Sequence, residues 1–231
     1  KMGEVLTNSQ IGGRRNILIN GSQIVSQRTT SSSSVSSTDR HFVTDRFPID
    51  LNGLGTWTIS QDSNAPDGFS SSLKVDCTTA DASPSAGDLI LIDHRIEAQD
   101  LQQLKYGTSS AETITLSFYV KSNKTGNATV SILQADNSFK QASPSYTINS
   151  ANTWERKIIT IAGDTSGVIN NDNDRGLQIN WWLNSGSTYT GGTNRTTYTA
   201  ISNDDRNASN LGIGGSTDDY FQITGVQLEV G

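Results

Sequence analysis

The stretch "GLQINWWLN" (176–184) carries the residues with the clearest chemical use. In a β-strand its side chains alternate between two faces. One face is apolar and is expected to join the core: Leu177, Ile179, Trp181 and Leu183. The other face joins amides to an indole: Gln178, Asn180, Trp182 and Asn184. Sugars have hydroxyl rims and flat C–H faces, so this second face is a candidate glycan-binding surface. The open alternative is that Trp182 packs under a loop or against another subunit.

Three tyrosines add to this candidate surface. Tyr119 lies on the polar side of "ETITLSFYVKS" (112–122), the clearest alternating pattern in the chain. Tyr189 and Tyr198 lie in the long polar segment 185–217. Rigid aromatic side chains among Thr, Asn and Gly are typical of binding loops, and a segment of this length is usually functional or disordered. The predicted ligand-binding residues are therefore Gln178, Asn180, Trp182, Tyr119, Tyr189 and Tyr198.

Patterns typical of catalysis or metal binding are weak. Asp93 and Glu97 could flank a cleft as a glycosidase pair, but no nucleophile elbow, HExxH, P-loop or CxxC occurs. His94 shares the parity of neighbouring isoleucines, which predicts a core histidine, and His41 lies far from it in the chain. The turn "NNDNDRG" (170–176) has acids spaced like a calcium loop but lacks the later bidentate acid. We predict no enzyme activity, catalytic residue, metal ligand or cofactor; a structural calcium and a polysaccharide depolymerase are the alternatives.

Composition excludes other classes of function. The 231 residues carry a net charge of −6 and no basic block, which argues against nucleic-acid binding. The apolar runs are too short to cross a bilayer, so we expect no membrane insertion. Cys77 is the single cysteine, and it shares the parity of Leu73 and Val75. It is therefore expected to be a buried thiol.

Short strand patterns and 21 glycines predict an all-β fold. We expect an antiparallel β-sandwich of jelly-roll type with one short helix at 97–107. It would span 16–231, and 1–15 would be an N-terminal linker or attachment segment. "NILIN" (16–20) and "QIVSQR" (23–28) are predicted strands around a tight turn. The serine-rich segment 29–38 is predicted to be a mobile loop.

Two strands depart from simple alternation. "DLILIDHRIE" (88–97) is apolar on both faces, as in a central strand or one covered by another subunit. In "YFQITGVQLEV" (220–230) the apolar parity flips at Thr224–Gly225, which predicts a bulge or kink at Gly225. We expect this last strand to be central, next to an early strand, with its two halves serving different parts of the core.

Several phrases in order along nearly the whole chain resemble a family of bacteriophage virion proteins. These are tail-fibre, tail-spike and related appendage proteins with a carbohydrate-binding-module-like β-sandwich, common among phages of marine bacteria and cyanobacteria. The phrases are "GEVLTNSQIGGRRNILINGSQIVSQR" (3–28), "TDRFPI" (44–49), "DHRIEAQDLQQL" (93–104), "ETITLSFYVKSNKTG" (112–126), "TWERKIITIAGDTSG" (153–167) and "YFQITGVQLEVG" (220–231).

The resemblance implies a component of the virion tail or an appendage, often a homotrimer, that attaches to the host surface. Its implied partners are other virion proteins and a host-surface glycan. It implies no fixed set of functional residues. The alternative from another class is a purely structural capsid-decoration or tail-assembly module.

Overall fold

Almost every regular element in the described part of the chain is a β-strand. The computed structural model describes residues 16–136 and 139–231, so the predicted segment 1–15 lies outside the described residues. The strands are β1 (Ser31–Val35), β2 (Thr38–His41), β3 (Ile49–Asn52), β4 (Thr56–Asp62), β5 (Ser72–Thr79), β6 (Leu89–Glu97), β7 (Ile114–Ser122), β8 (Gly126–Gln134), β9 (Lys140–Ala142), β10 (Ser145–Ile148), β11 (Glu155–Ile161), β12 (Arg175–Ser185), β13 (Thr199–Ala200) and β14 (Tyr220–Val230). A 3₁₀ helix, Ala98–Leu104, lies within the predicted helical stretch.

The strands form two antiparallel sheets packed face to face. The smaller sheet has the order β1-β4-β5-β14-β7-β11. The larger sheet has the order β13-β9-β8-β12-β6-β3-β2, and β10 also pairs with β8. This arrangement confirms the predicted all-β antiparallel sandwich with one short helix.

The core lies between the sheets and is built by alternating side chains. On β7 the inward residues Ile114, Leu116, Phe118 and Val120 are fully buried. Phe118 meets Trp181 of β12 edge-on, with ring centroids 5.9 Å apart. Because these two rings come from different sheets, their contact joins the two layers.

The two-faced apolar strand β6 is a central strand. It pairs with β12 on one side and β3 on the other. Leu91 is buried and Leu89 half-buried within the single chain. His94 is buried against Phe47, with ring centroids 4.5 Å apart, which confirms the predicted core histidine. The apolar residues of β6 therefore do not require a second subunit to cover them.

The last strand contains the predicted bulge. Thr224 pairs with Tyr119 and Gln227 with Ser117, so two residues of β14 oppose one of β7. Gly225 has a φ of 60°, in the left-handed region. β14 is central and lies next to the early strand β5, as predicted. Both of its halves stay in the smaller sheet and face one core, because the bulge resets the alternation.

Two local predictions near the start of the described chain are wrong. Residues 16–28 form turns and irregular structure instead of two strands. They lie along β14, where the Val226 amide donates to the Gly21 carbonyl (2.9 Å) and the Ile17 amide to the Leu228 carbonyl (2.9 Å). Pairing between β5 and β14 stops at Ile223, so this segment bonds to the part of β14 that β5 leaves open.

The serine-rich segment is a strand and not a loop. β1 pairs with β4, and Val35 is buried opposite Trp57. Backbone hydrogen bonds can hold an edge strand whose other side chains are polar, provided that one apolar residue anchors it. The alternation rule missed this strand because it looks for apolar side chains.

The turn that resembled a calcium loop supports the 3₁₀ helix. The Asp172 and Asp174 carbonyls accept hydrogen bonds from the Gln99 and Ala98 amides, at 2.8 and 2.9 Å. In the ranges 16–136 and 139–231, no three His, Cys, Asp or Glu side chains form a possible metal cluster. Within the same ranges, no helix has the length and apolar character needed to span a membrane.

Candidate functional site

A row of buried polar side chains crosses the side of the larger sheet that faces away from the core. Asn180 on β12 lies opposite Asp93 on β6 and Ser131 on β8. Gln178, two residues along β12, lies opposite Arg95. The intervening residues of β12 face the core, so these side chains point outward. We call this surface, centred on Asp93, Ser131, Gln178 and Asn180, the polar face.

Two arginines share the buried carboxylate at its centre. Arg40 Nη1 lies 2.8 Å and Arg95 Nε 3.0 Å from the same oxygen of Asp93, Oδ2. The Asp93 side chain has no solvent exposure. Burial raises the pKa of Asp93 to about 6, although Arg40 and Arg95 act in the opposite direction. Desolvation therefore outweighs the two ion pairs.

A hydrogen-bonded chain of side chains runs along β12. Arg175 Nη1 donates to Gln178 Oε1, and Gln178 Nε2 donates to Asn180 Oδ1 at 2.9 Å. The row of hydrogen bonds ends at Asn180 among the described residues. Asn180 Nδ2 and Asp93 Oδ1 are both buried and have no hydrogen-bond partner among the described residues. A buried polar atom in this state costs about 1–3 kcal/mol, so two of them on facing residues require a physical explanation.

Two further cations and three aromatic rings lie around this centre. The guanidinium of Arg206 lies 5.2 Å from the Trp182 ring and 5.6 Å from the Tyr189 ring. The Arg175 guanidinium lies 5.5 Å from the ring of Phe139, which is 39% exposed. Burial lowers the pKa of Arg175, and repulsion from Arg95 lowers it further. Burial is also the main cause that lowers the pKa of Arg206, and Arg175 adds to it. The cations on the polar face therefore interact with one another.

The structure brings four of the six predicted binding residues together: Gln178, Asn180, Trp182 and Tyr189. Trp182 is fully buried, and its Nε1 donates to Ser131 Oγ at 2.9 Å. Tyr189 of the long loop packs on it with ring centroids 5.2 Å apart. The loop and Arg206 cover Trp182, as in the alternative in which it packs under a loop, so its indole is not an exposed platform for a sugar.

The other two predicted residues lie elsewhere. Tyr119 belongs to β7 of the smaller sheet, where its ring is 5.4 Å from Phe69. Tyr198 packs edge-on against Tyr106, with ring centroids 5.6 Å apart. Burial is the main cause that raises the pKa of Tyr198. Neither tyrosine belongs to the polar face.

The long segment 185–217 is held in place by polar contacts. Asp205 accepts from the Thr193 amide at 2.6 Å and from Arg195 Nε at 2.8 Å. Asn207 Nδ2 donates to Ser185 Oγ at 2.8 Å. These bonds fix the loop over the end of β12 without an apolar core of its own.

The two members of the suggested glycosidase pair have separate partners. Asp93 and Glu97 are four residues apart on the same strand, which places their Cα atoms roughly 13 Å apart. Glu97 also accepts a hydrogen bond from Gln99 Nε2 at 3.1 Å. Asp93 therefore acts with the arginines and not with Glu97.

Sequence reasoning missed the charged part of the polar face. Asp93 and Arg95 lie on β6 opposite Asn180 and Gln178 of β12. Pairing the outward residues of β12 with those of β6 would therefore have identified them. Arg40 belongs to a short edge strand with a register shift, and Arg206 belongs to the long loop. For these two residues, no periodic pattern shows where the side chain points.

Comparison with solved structures gives distant likenesses. A putative sugar-binding protein from Bacteroides thetaiotaomicron has a TM-score of 0.48 at 10% identity, over 94% of this chain and 100% of that one. The enzymatically active domain of bacteriophage CBA120 tailspike protein 4 has a TM-score of 0.44 at 14% identity, over 94% of this chain. This chain spans 21% of that tailspike chain. A CBM4 structure has a TM-score of 0.43 at 16% identity, over 92% of this chain and 99% of that one.

No family model and no curated protein matches the chain. At such identities and TM-scores the likenesses carry no argument about function. What the protein binds has to be argued from the polar face itself.

Proposed function

We propose that this protein binds a glycan on the polar face. The observation that carries the proposal is the pair of buried, unbonded atoms on facing residues, Asn180 Nδ2 and Asp93 Oδ1. One is a donor and the other an acceptor. A sugar hydroxyl both donates and accepts hydrogen bonds, so neighbouring hydroxyls of one ring could satisfy both atoms.

The surroundings of these atoms suit a sugar. Phe139 is 39% exposed beside Arg175, and Tyr189 is half-buried beside Arg206. Aromatic rings of this kind stack on the C–H faces of sugars, while the arginines and amides bond to hydroxyl rims. The floor of the polar face is rigid, because its residues belong to the paired strands β6, β8 and β12. The binding groups are thus positioned before a ligand arrives.

The test compares the wild-type chain with two variants on a panel of polysaccharides, by calorimetry and affinity electrophoresis. Asn180→Leu removes the unbonded donor, and we expect binding to fall at least about tenfold. Tyr119→Ala changes an aromatic on the other sheet and should leave binding unchanged. Thermal melts of each variant establish that it is folded. If Tyr119→Ala abolishes binding and Asn180→Leu does not, the glycan binds to the smaller sheet and the proposal is wrong.

For the biological setting we propose a non-enzymatic virion protein, a tail fibre or appendage that attaches a phage to its host. The support is the resemblance of the sequence phrases to such virion proteins. Weak single sites would add up if several copies bound one surface, which suits a homotrimer.

Mass measurement of the purified chain tests the trimer. Adsorption of fluorescent protein to bacterial cells, with Asn180→Leu as control, tests attachment. A chain that binds neither cells nor any glycan would favour the purely structural module.

A depolymerase is the second candidate, and one observation favours it. Burial raises the pKa of Asp93 to about 6, the direction that a general acid requires, and the charge of Asp50 on the adjacent strand β3 raises it further. Release of reducing ends from each bound polysaccharide is the direct assay. Hydrolysis that Asp93→Asn abolishes would establish the enzyme. Intact polysaccharide after prolonged incubation would support a binding protein.

A further inference from the structure

The polar face carries more positive charge than the rest of the chain would suggest. It collects Arg40, Arg95, Arg175 and Arg206, which are all half-buried. Two carboxylates, Asp50 and Asp93, lie among them. Among the side chains that the structure describes, the local sum is therefore 4 − 2 = +2, in a chain whose net charge is −6.

This concentration of arginines brings like charges close together. Arg175 is repelled by Arg95 and Arg40, and Arg206 is repelled by Arg175. Half-buried like charges repel more strongly than exposed ones, because water screens them less. A sequence selected for folding alone would not bring four guanidinium groups from β2, β6, β12 and the long loop to one surface.

Donors also outnumber acceptors at this surface. Asn180 Nδ2 and Arg206 Nε are buried and have no hydrogen-bond partner among the described residues. In the described part of the chain, neither Arg175 nor Arg206 has a carboxylate within ion-pair distance. A guanidinium fork fits the two oxygens of a carboxylate or a sulfate better than it fits a single hydroxyl.

The geometry points to an anionic glycan, bearing carboxylate or sulfate groups, as the ligand of the polar face. This inference rests on the proposed glycan-binding function and names its substrate class. The anionic groups would lie between Arg95, Arg175 and Arg206, and the neutral hydroxyls would bond to Asn180 and Asp93. Asp93 would limit affinity, because its negative charge repels the ligand.

The experiment uses pairs of polysaccharides that differ only in charge. Polygalacturonate is compared with its methyl ester, and dextran sulfate with dextran, at low and high salt. The chain variants are Arg175→Gln, Arg95→Gln and Asp93→Asn. Arg156→Gln is the matched control, since Arg156 is exposed on β11 of the smaller sheet.

We expect at least one charged polymer to bind about tenfold or more tightly than its neutral partner. Arg175→Gln and Arg95→Gln should each weaken that binding about tenfold, the usual effect of losing a charge-assisted hydrogen bond. Asp93→Asn should tighten it several-fold, a direction that damage to the fold cannot imitate. Which polymer binds distinguishes a carboxylate ligand from a sulfate ligand.

Three results would overturn the inference. Equal binding of a charged polymer and its neutral partner would leave the proposed glycan binding intact but remove its charge specificity. Equal weakening by Arg156→Gln would show general attraction to polyanions and no site. Failure of every polymer, charged and neutral, to bind would contradict the proposed function itself.

Discussion

Asp93 and Asn180 face each other on adjacent strands, and each ends in a buried polar atom without a hydrogen-bond partner among the described residues. Asp93 Oδ2 accepts a hydrogen bond from Arg40 Nη1 and lies within ion-pair distance of Arg95 Nε, and Asn180 Oδ1 accepts a hydrogen bond from Gln178 Nε2. The fold thus orients both side chains and leaves one buried donor and one buried acceptor unsatisfied by the described residues. Ordered water or a ligand can complete the hydrogen bonding of such atoms.

The bulge at Gly225 should be intolerant of a side chain. A Cβ at this position would lie 2.6 Å from Phe69 Cζ and 3.0 Å from Tyr119 Cδ2, and φ is +60°. We expect Gly225→Val to lower the free energy of unfolding by about 1–3 kcal/mol, measured by urea denaturation. Gly215→Val is the control, since no atom lies within 4 Å of a Cβ there. Equal denaturation midpoints for the two variants would contradict the bulge's role.

Asp93 and His94 should have opposite effects on stability at mildly acid pH. Burial lowers the pKa of His94 to about 3, so the unfolded chain binds its proton first and stability falls as pH drops below 6.5. Burial raises the pKa of Asp93 to about 6, so the folded chain binds its proton first. The contribution of Asp93 to stability therefore rises as the pH falls from 6 to 4. The contributions of His94 and Asp93 to the free energy of unfolding therefore nearly cancel between pH 6 and 4.

Asp93→Asn should therefore expose the histidine effect. We expect the free energy of unfolding of this variant to fall by about 1.4 kcal/mol per pH unit below 6.5, measured by urea denaturation at pH 7, 6, 5 and 4.5. Asp67→Asn, at an exposed turn, should follow the wild type. Parallel curves for Asp93→Asn and the wild type would show that Asp93 does not titrate in this range.

Trp182 should matter more for stability than for direct ligand contact. It is fully buried and bonded to Ser131, so Trp182→Ala should cost about 3–5 kcal/mol of unfolding free energy. Trp182→Phe keeps most of the packing and should cost less. Trp154→Phe, at a half-buried site on the smaller sheet whose indole also donates a hydrogen bond, is the control. A loss below 1 kcal/mol for Trp182→Ala would mean that the loop repacks.

Cys77 should be unreactive in the folded protein. It is 3% exposed, and burial, with Asp219 and Asp76, raises its pKa to about 11. We expect a thiol reagent at pH 8 to label it only as fast as the chain unfolds, and rapidly in denaturant. Rapid labelling of the native protein would require local opening around β5.

The sequence was most informative where one face of a strand is apolar. Strict alternation located β7 and the core face of β12, and the parity flip located the bulge of β14. It was least informative where hydrogen bonds alone hold the backbone, as in β1 and residues 16–28. The amide row of the polar face could be predicted because it shares a strand with core residues. The arginines could not, because sheet order and loop path bring them together, and neither follows from a local pattern.

The position of β14 affects how the chain can fold. The strand at the centre of the smaller sheet is the last one in the sequence, and residues 16–22 bond to it across about 210 positions. Until residues 220–230 are available, β5 and β7 each have an unpaired inner edge. Contacts at such separation form slowly, and open strand edges promote association between chains. Assembly of this sheet must therefore wait until the ribosome has made nearly the whole domain, and during that interval the nascent chain is most exposed to aggregation.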